Sequence, residues 1–123
     1  AIESAKIDPV VSLEEVSSIK SSVVKVYVSD KVKEYIVNLV NFIRGQDEVL
    51  LGPSPRASIW LLKGSRVLAH MNNEEYVTPD HVKYLASYVL SHRIRIKPEY
   101  EVEGVKPKDI INRGLESVEV PKI

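Results

Sequence analysis

The apolar positions of this 123-residue chain fall mostly at helical spacing. Val32, Ile36, Leu39 and Ile43 step by four, three and four, which puts them on one face of a helix over residues 32–44. Ser29 or Asp30 caps that helix, and Gly45 with the polar run Gln46-Asp47-Glu48 ends it. A second stripe, Ala57, Leu61, Gly64, Leu68 and Met71, predicts a helix over 54–71. Ser54 is its expected cap, and Pro55 takes the first helical position, where a missing N–H costs nothing. Glycine inside a helix costs about 1 kcal/mol relative to alanine, so Gly64 on that stripe predicts close approach of a neighbouring helix. Asn72-Asn73 stops the helix. Thr78-Pro79 repeats the cap-plus-proline start, and Val82, Leu85, Ala86 and Val89 give the inner face of a helix over 79–90.

The remaining segments carry weaker patterns. Ser12-Leu13-Glu14-Glu15 reads as a capping box that opens a short helix to about Ser21. Val23–Val28 alternates as a half-buried strand does, and Arg93–Ile96 alternates too, so these two are expected to pair. Val49-Leu50-Leu51-Gly52-Pro53 is expected as a loop with an apolar anchor, and Pro98–Gly104 as irregular chain. Pro107–Leu115 is a short last helix and Val118–Ile123 an extended tail. The fold class is therefore mainly α, a small helical bundle with a short two-stranded ribbon. One domain spans 1–123, with 1–11 linker-like and 117–123 a tail.

Composition narrows the function. The length suits one compact domain, and a 44% hydrophobic share supplies a core for it. Seventeen basic against seventeen acidic residues gives zero net charge, which argues against a dedicated nucleic-acid or acidic-lipid binder. The charge is uneven, however. Residues 54–97 hold seven bases and three acids, net +4, while both flanks are net −2, so the middle third is where an anion is most welcome. Absent cysteine removes disulfides, thiolate metal sites and a cysteine nucleophile, and fits a cytoplasmic setting. Apolar runs such as Ile59–Leu62 fall far short of the roughly 20 residues a membrane helix needs. No signal-peptide core opens the chain, and the lack of an initiator Met is what a fragment would show.

Self-contained chemistry is hard to find. No G-x-x-x-x-G-K-S/T, G-x-G-x-x-G or G-x-S-x-G occurs. His70, His81 and His92 are eleven residues apart, whereas helical metal sites favour spacings of three or four, so they read as unrelated surface or partly buried histidines. Glu14-Glu15 and Glu74-Glu75 are adjacent and point apart on a helix, as solvated faces rather than acid/base pairs. Arg56 alone breaks a local rule, because a cation in the first turn opposes the helix dipole by a few tenths of a kcal/mol. A helix N-terminus with a guanidinium is a good phosphate site, offering backbone N–H groups, a favourable dipole and a bidentate fork. The plainer alternative is that Arg56 reaches an acidic side chain or solvent.

At these residues a family resemblance enters. Gly52-Pro53-Ser54-Pro55-Arg56-Ala57 resembles the G-A-S-P-R-A element in the lid of MoxR-type AAA+ ATPases. Val26-Tyr27-Val28-Ser29-Asp30 with Tyr35-Ile36-Val37-Asn38-Leu39-Val40 is similar to that family's V-x-V-S-D and Y-I-V-x-L-V. Tyr76-Val77-Thr78-Pro79-Asp80-His81-Val82-Lys83 resembles Y-V-T-P-x-D-V-K, with His81 where the family carries Asp, and Val89–Arg93 resembles V-L-x-H-R. The ending, from Glu103-Gly104-Val105 to Val118-Glu119-Val120-Pro121, follows the same pattern.

The resemblance implies a helical lid that follows an α/β P-loop core, with ATP and Mg2+ between the two and none expected for this chain alone. It implies that Arg56 is the second-sensor arginine, reaching the γ-phosphate, with Ser54 beside it in the nucleotide site. It implies partners as well: the P-loop core of the same chain, neighbouring subunits of a ring, often hexameric, and client proteins, frequently with a von Willebrand factor A domain, that such chaperone-like ATPases mature or load with cofactor. Two departures stand out. Pro53 replaces the usual alanine, and Asn72-Asn73-Glu74-Glu75 replaces G-R-D/E, so no role of a basic residue there carries over. The fragment alone would not hydrolyse ATP. The alternatives are a free-standing helical protein-interaction module with an exposed apolar patch, and a nucleic-acid-binding helical domain using Lys83, Arg93, Arg95 and Lys97. For Arg93 and Arg95 a structural ion pair is the expectation.

Overall fold

The computed structural model describes residues 13–122. The capping box at Ser12, the linker-like residues 1–11 and the last residue of the tail lie outside them. Six helices and one strand pair follow in the order α1 (Leu13–Val24), α2 (Asp30–Arg44), β1 (Val49–Leu51), α3 (Ala57–Met71), α4 (Pro79–Leu90), β2 (Arg95–Ile96), α5 (Pro98–Glu101) and α6 (Pro107–Ser117). A single 3-10 turn over Ser91–Arg93 links α4 to β2.

α2 is the central element because its apolar stripe meets partners on several sides. Val32, Ile36, Leu39 and Ile43 are all buried, joined by Tyr35 and Val40. Each such aliphatic side chain stabilises the fold by about 1.5–3 kcal/mol relative to exposure. The helix starts where the Ser29 hydroxyl accepts the Val32 N–H at 3.2 Å, with Asp30 complementing the dipole. It stops at Gly45, whose N–H turns back to the Asn41 and Phe42 carbonyls. α3 and α6 pack on its two sides.

α3 and α4 make the closest helix pair. Arg93, just beyond α4, sits on Trp60 near the start of α3, while Leu85 lies against Gly64 and Tyr84 beside Leu68. These contacts run in opposite chain order, so the helices are antiparallel. A Cβ on Gly64 would stand 3.3 Å from Leu85 Cδ1, which is the close approach its position predicts. The buried seam of α3 is Ala57, Leu61, Ser65 and Ala69. Met71, expected on that seam, is 71% exposed. The regular step of four carries the stripe slightly around the helix, and position 71 has left the core side by the last turn.

The ribbon exists, and Arg95–Ile96 forms one strand of it as expected, but its partner differs. β1 pairs antiparallel with β2, Val49 opposite Ile96 and Leu51 opposite Arg95, with an irregular register between them. Val23 and Val24 instead end α1. Val26 and Val28 still face the core as alternation predicts, but Tyr27 between them forms an isolated parallel bridge with Tyr76. The Val49–Leu51 run, expected as loop, is a strand because β2 supplies its backbone partners. Pro98–Glu101, expected as irregular, forms one helical turn with proline at its start. Asn72 and Asn73 do end α3, Asn73 adopting φ 60°, a conformation asparagine tolerates.

Candidate functional site

Arg56 does not lie inside the first turn of a helix that begins at Ser54. The regular helix begins at Ala57, and Ser54–Arg56 form a tighter turn ahead of it, Arg56 being the last residue before the helix. Ala57, Ser58 and Ile59 donate their N–H groups to the Ser54, Pro55 and Arg56 carbonyls at 2.8, 3.1 and 3.0 Å. Those donors are spent, so the guanidinium rather than the backbone is what this end of α3 offers a ligand. No carboxylate stands in the first turn.

The approach to the turn is fixed by close packing. A Cβ on Gly52 would come within 3.1 Å of Arg44 Cα, so a larger residue would have to push the end of α2 aside by a few tenths of an ångström as the chain leaves β1. Pro53 is buried and stiffens the same approach, whereas Ser54, Pro55 and Arg56 are exposed. Arg56 pairs with no carboxylate among the described residues. It lines a groove with Ile59, Trp60 and Lys63, the next turns of the same helix.

Arg93 reaches this face from the 3-10 turn after α4. Its guanidinium carbon is 5.6 Å from the Trp60 ring centre, and its Nε donates to the Val89 carbonyl at 3.2 Å. The expected ion pair is replaced by a cation–π contact and a helix-end hydrogen bond, because Trp60 rather than an acid lies opposite. Two members of the suggested basic strip have neighbours of their own. Lys97 is close enough to Glu48 to lower its carboxyl, while Arg93 is committed to Trp60.

The one tight ion pair among the described residues lies elsewhere. Arg113 of α6 grips Glu48 with two contacts, 2.9 and 2.8 Å, and also donates to Gln46 at 3.0 Å. Arg113 holds the Glu48 carboxyl below its ordinary range, and Glu48 raises Arg113 in return. This clamp ties α6 to the turn before β1. No signal in the sequence couples residues so far apart.

The histidines are separate, as their spacing predicts. His70 lies on α3 and His92 in the 3-10 turn, while buried His81 caps α4: its Nδ1 accepts the Thr78 N–H at 2.9 Å and its Nε2 lies 3.3 Å from Glu74 Oε1. The imidazole thus does what a carboxylate does in a capping box. Tyr35 Oη is buried without a hydrogen-bond partner, and desolvation, then the charge of Asp80, pushes its ionisation upward. Among the described residues no cluster of three or more histidine, cysteine or acidic groups could hold a metal, and no helix is long and apolar enough to cross a membrane.

A small helical bundle around α2, closed by one strand pair and with a proline-led turn presenting an arginine, defines a lid-type helical domain. The AAA lid domain family matches residues 42–113. The uncharacterized protein YeaC of Bacillus subtilis is 36% identical over 94% of this chain and 36% of its own length. The chaperone MoxR1 of Mycobacterium tuberculosis is 28% identical over 79% of this chain and 28% of its own. The crystal structure of a proposed ATPase from Cytophaga hutchinsonii superposes with a TM-score of 0.84 at 32% identity, covering 89% of this chain and 36% of that one. The chain belongs to the AAA lid domain family and is a lid subdomain of the MoxR type. It spans about a third of the length of these relatives.

Proposed function

We propose that this lid supplies Arg56 as the second-sensor arginine to ATP held by a P-loop core elsewhere in the parent ATPase. The supporting observation is the exposed guanidinium at the mouth of α3, without a carboxylate partner among the described residues. An arginine held ready costs little to reorganise, and its planar fork matches phosphate oxygens better than a lysine does. The donor set fits the phosphate and not the metal: Ser54, Arg56 and their neighbours include no carboxylate, so Mg2+ would be held by the core. When bound, ATP supplies the transferable phosphoryl group. Arg56 neutralises its charge and couples the lid angle to nucleotide state, and Ser54 borders the same site.

In the parent the lid would also support ring assembly, as a hexamer, with the ATPase acting as a chaperone-like machine that matures or loads cofactor into clients such as von Willebrand factor A domain proteins. The mycobacterial relative is a chaperone by name, which supports that direction. The test is Arg56→Ala in the parent ATPase, read as turnover at saturating ATP beside the folded helix content. Unchanged turnover removes the second-sensor role. An Arg56→Lys variant that keeps charge and still loses turnover would support the fork geometry.

A further inference from the structure

The start of α4 holds a buried titratable group that the nucleotide role of Arg56 does not use. His81 is 5% exposed, and both of its ring nitrogens have partners. Nδ1 accepts the Thr78 N–H at 2.9 Å, and Nε2 stands 3.3 Å from Glu74 Oε1. A ring nitrogen that accepts an N–H carries no proton itself, so the hydrogen of the capped ring sits on Nε2 and points to Glu74. This is the neutral form. A carboxylate in a capping box keeps accepting down to about pH 4, whereas an ordinary imidazole stops near about 6.5.

A proton on Nδ1 turns that acceptor into a donor. Two donors then face each other across 2.9 Å, and the Thr78 N–H loses its partner. The Thr78 hydroxyl, 3.3 Å from Nδ1, can accept from the charged ring but cannot satisfy the stranded backbone donor. Nearby charge pulls the other way. Among the described residues, Glu74 stands at Nε2, and Asp80 and Tyr84 of α4 line the same cavity as the ring. α3 adds Leu68 and Asn72 there, neither of which titrates, and Tyr35 of α2 lies near enough to Asp80 to feel its charge. The carboxylates favour a charged ring, yet Glu74 is 44% exposed and water screens it. Charging a buried ring and stranding a backbone donor are costs that solvent relieves less, so loss of the cap decides the direction.

We propose that His81 is an acid-released latch on the start of α4: the neutral ring closes the helix cap, and a proton on Nδ1 frees the Thr78 N–H and loosens the Glu74–Thr78 link. That link is a joint of the bundle. Tyr27, between α1 and α2, donates its N–H to the Glu75 carbonyl and accepts the Val77 N–H, both at 2.9 Å. The capped chain binds fewer protons here than the unfolded chain, so the latch weakens as pH falls through the imidazole range. His81 has no part in the nucleotide role of Arg56, and either reading can fail without the other.

The test is NMR on the 123-residue chain. Nitrogen shifts of the His81 ring at about pH 7.5 should show a neutral imidazole with its proton on Nε2. Amide exchange of Thr78, corrected for the intrinsic rate and referred to the Leu39 amide of α2, should lose about tenfold or more of its protection between about pH 7.5 and about pH 5.5. His81→Asn puts a non-titrating oxygen near the Nδ1 position and should hold Thr78 protection constant over that range. A ring proton on Nδ1 at the higher pH, Thr78 protection that does not change in the unaltered chain, or the same loss in His81→Asn would each overturn the latch. The ring shifts and the exchange of the unaltered chain need no variant to fold.

Discussion

The two sides of α3 follow different physical rules. Ala57, Leu61, Ser65 and Ala69 are buried, on a step of four that small and branched side chains fill against α2 and α4. Ile59, Trp60, Lys63 and Val67 on the outer side remain exposed, with Arg56 ahead of them. The inner side is explained by packing alone. The outer side is not, because exposed large apolar groups among cations that have no carboxylate partner among the described residues add little to folding and point to something outside the chain. Stability and function are therefore separable on one helix, and substitutions can test that separation.

The largest effect should come from the inner side. Leu61→Ala removes a fully buried side chain and should cost about 2–5 kcal/mol in a denaturant titration. A cost below that of an ordinary surface change would mean the seam is not packed as described.

Next is the clamp between Glu48 and Arg113. Its side chains are 17 and 40% exposed, so water screens it, and Glu48→Gln should cost about 1 kcal/mol or less near neutral pH. The sign with pH follows from the depressed Glu48 carboxyl. Its contribution is full above the unfolded value of 4.5 and is lost as pH falls through the lower folded value. Wild type and Glu48→Gln should therefore differ at about pH 7 and converge near about pH 3. A constant difference across that range would contradict the clamp.

Tyr35→Phe should be smaller still. The buried hydroxyl has no partner, so deleting it leaves stability unchanged or raises it by up to about 1 kcal/mol. A clear loss would reveal a hydrogen bond that the geometry does not contain. Smallest of all is Arg56→Ala on folding, within about 0.5 kcal/mol as for an exposed residue without an ion-pair partner among the described residues.

What the sequence disclosed depends on the range of each interaction. The α2 stripe and the Thr78-Pro79 start of α4 are local, so spacing and capping chemistry were enough to read them. Gly64 was legible for the same reason, its cost in a helix asking for a neighbour. The ribbon was not: Val49-Leu50-Leu51 has no alternation, and its partner Arg95–Ile96 lies far along the chain, while alternating Val23–Val28 matched a strand period without having a strand partner. At the site, Arg56 showed itself by violating dipole preference and by its motif. The stacking of Arg93 on Trp60 and the spending of the first α3 donors on the Ser54–Arg56 turn depend on tertiary and turn geometry that no spacing encodes.

The most direct test of the outer side's role is steady-state ATP turnover of the parent ATPase at saturating nucleotide, Arg56→Ala against wild type. Loss of one preorganised charge donor predicts a fall on the order of 100-fold with helix content and denaturation midpoint unchanged. Turnover equal to wild type in a folded variant would contradict it.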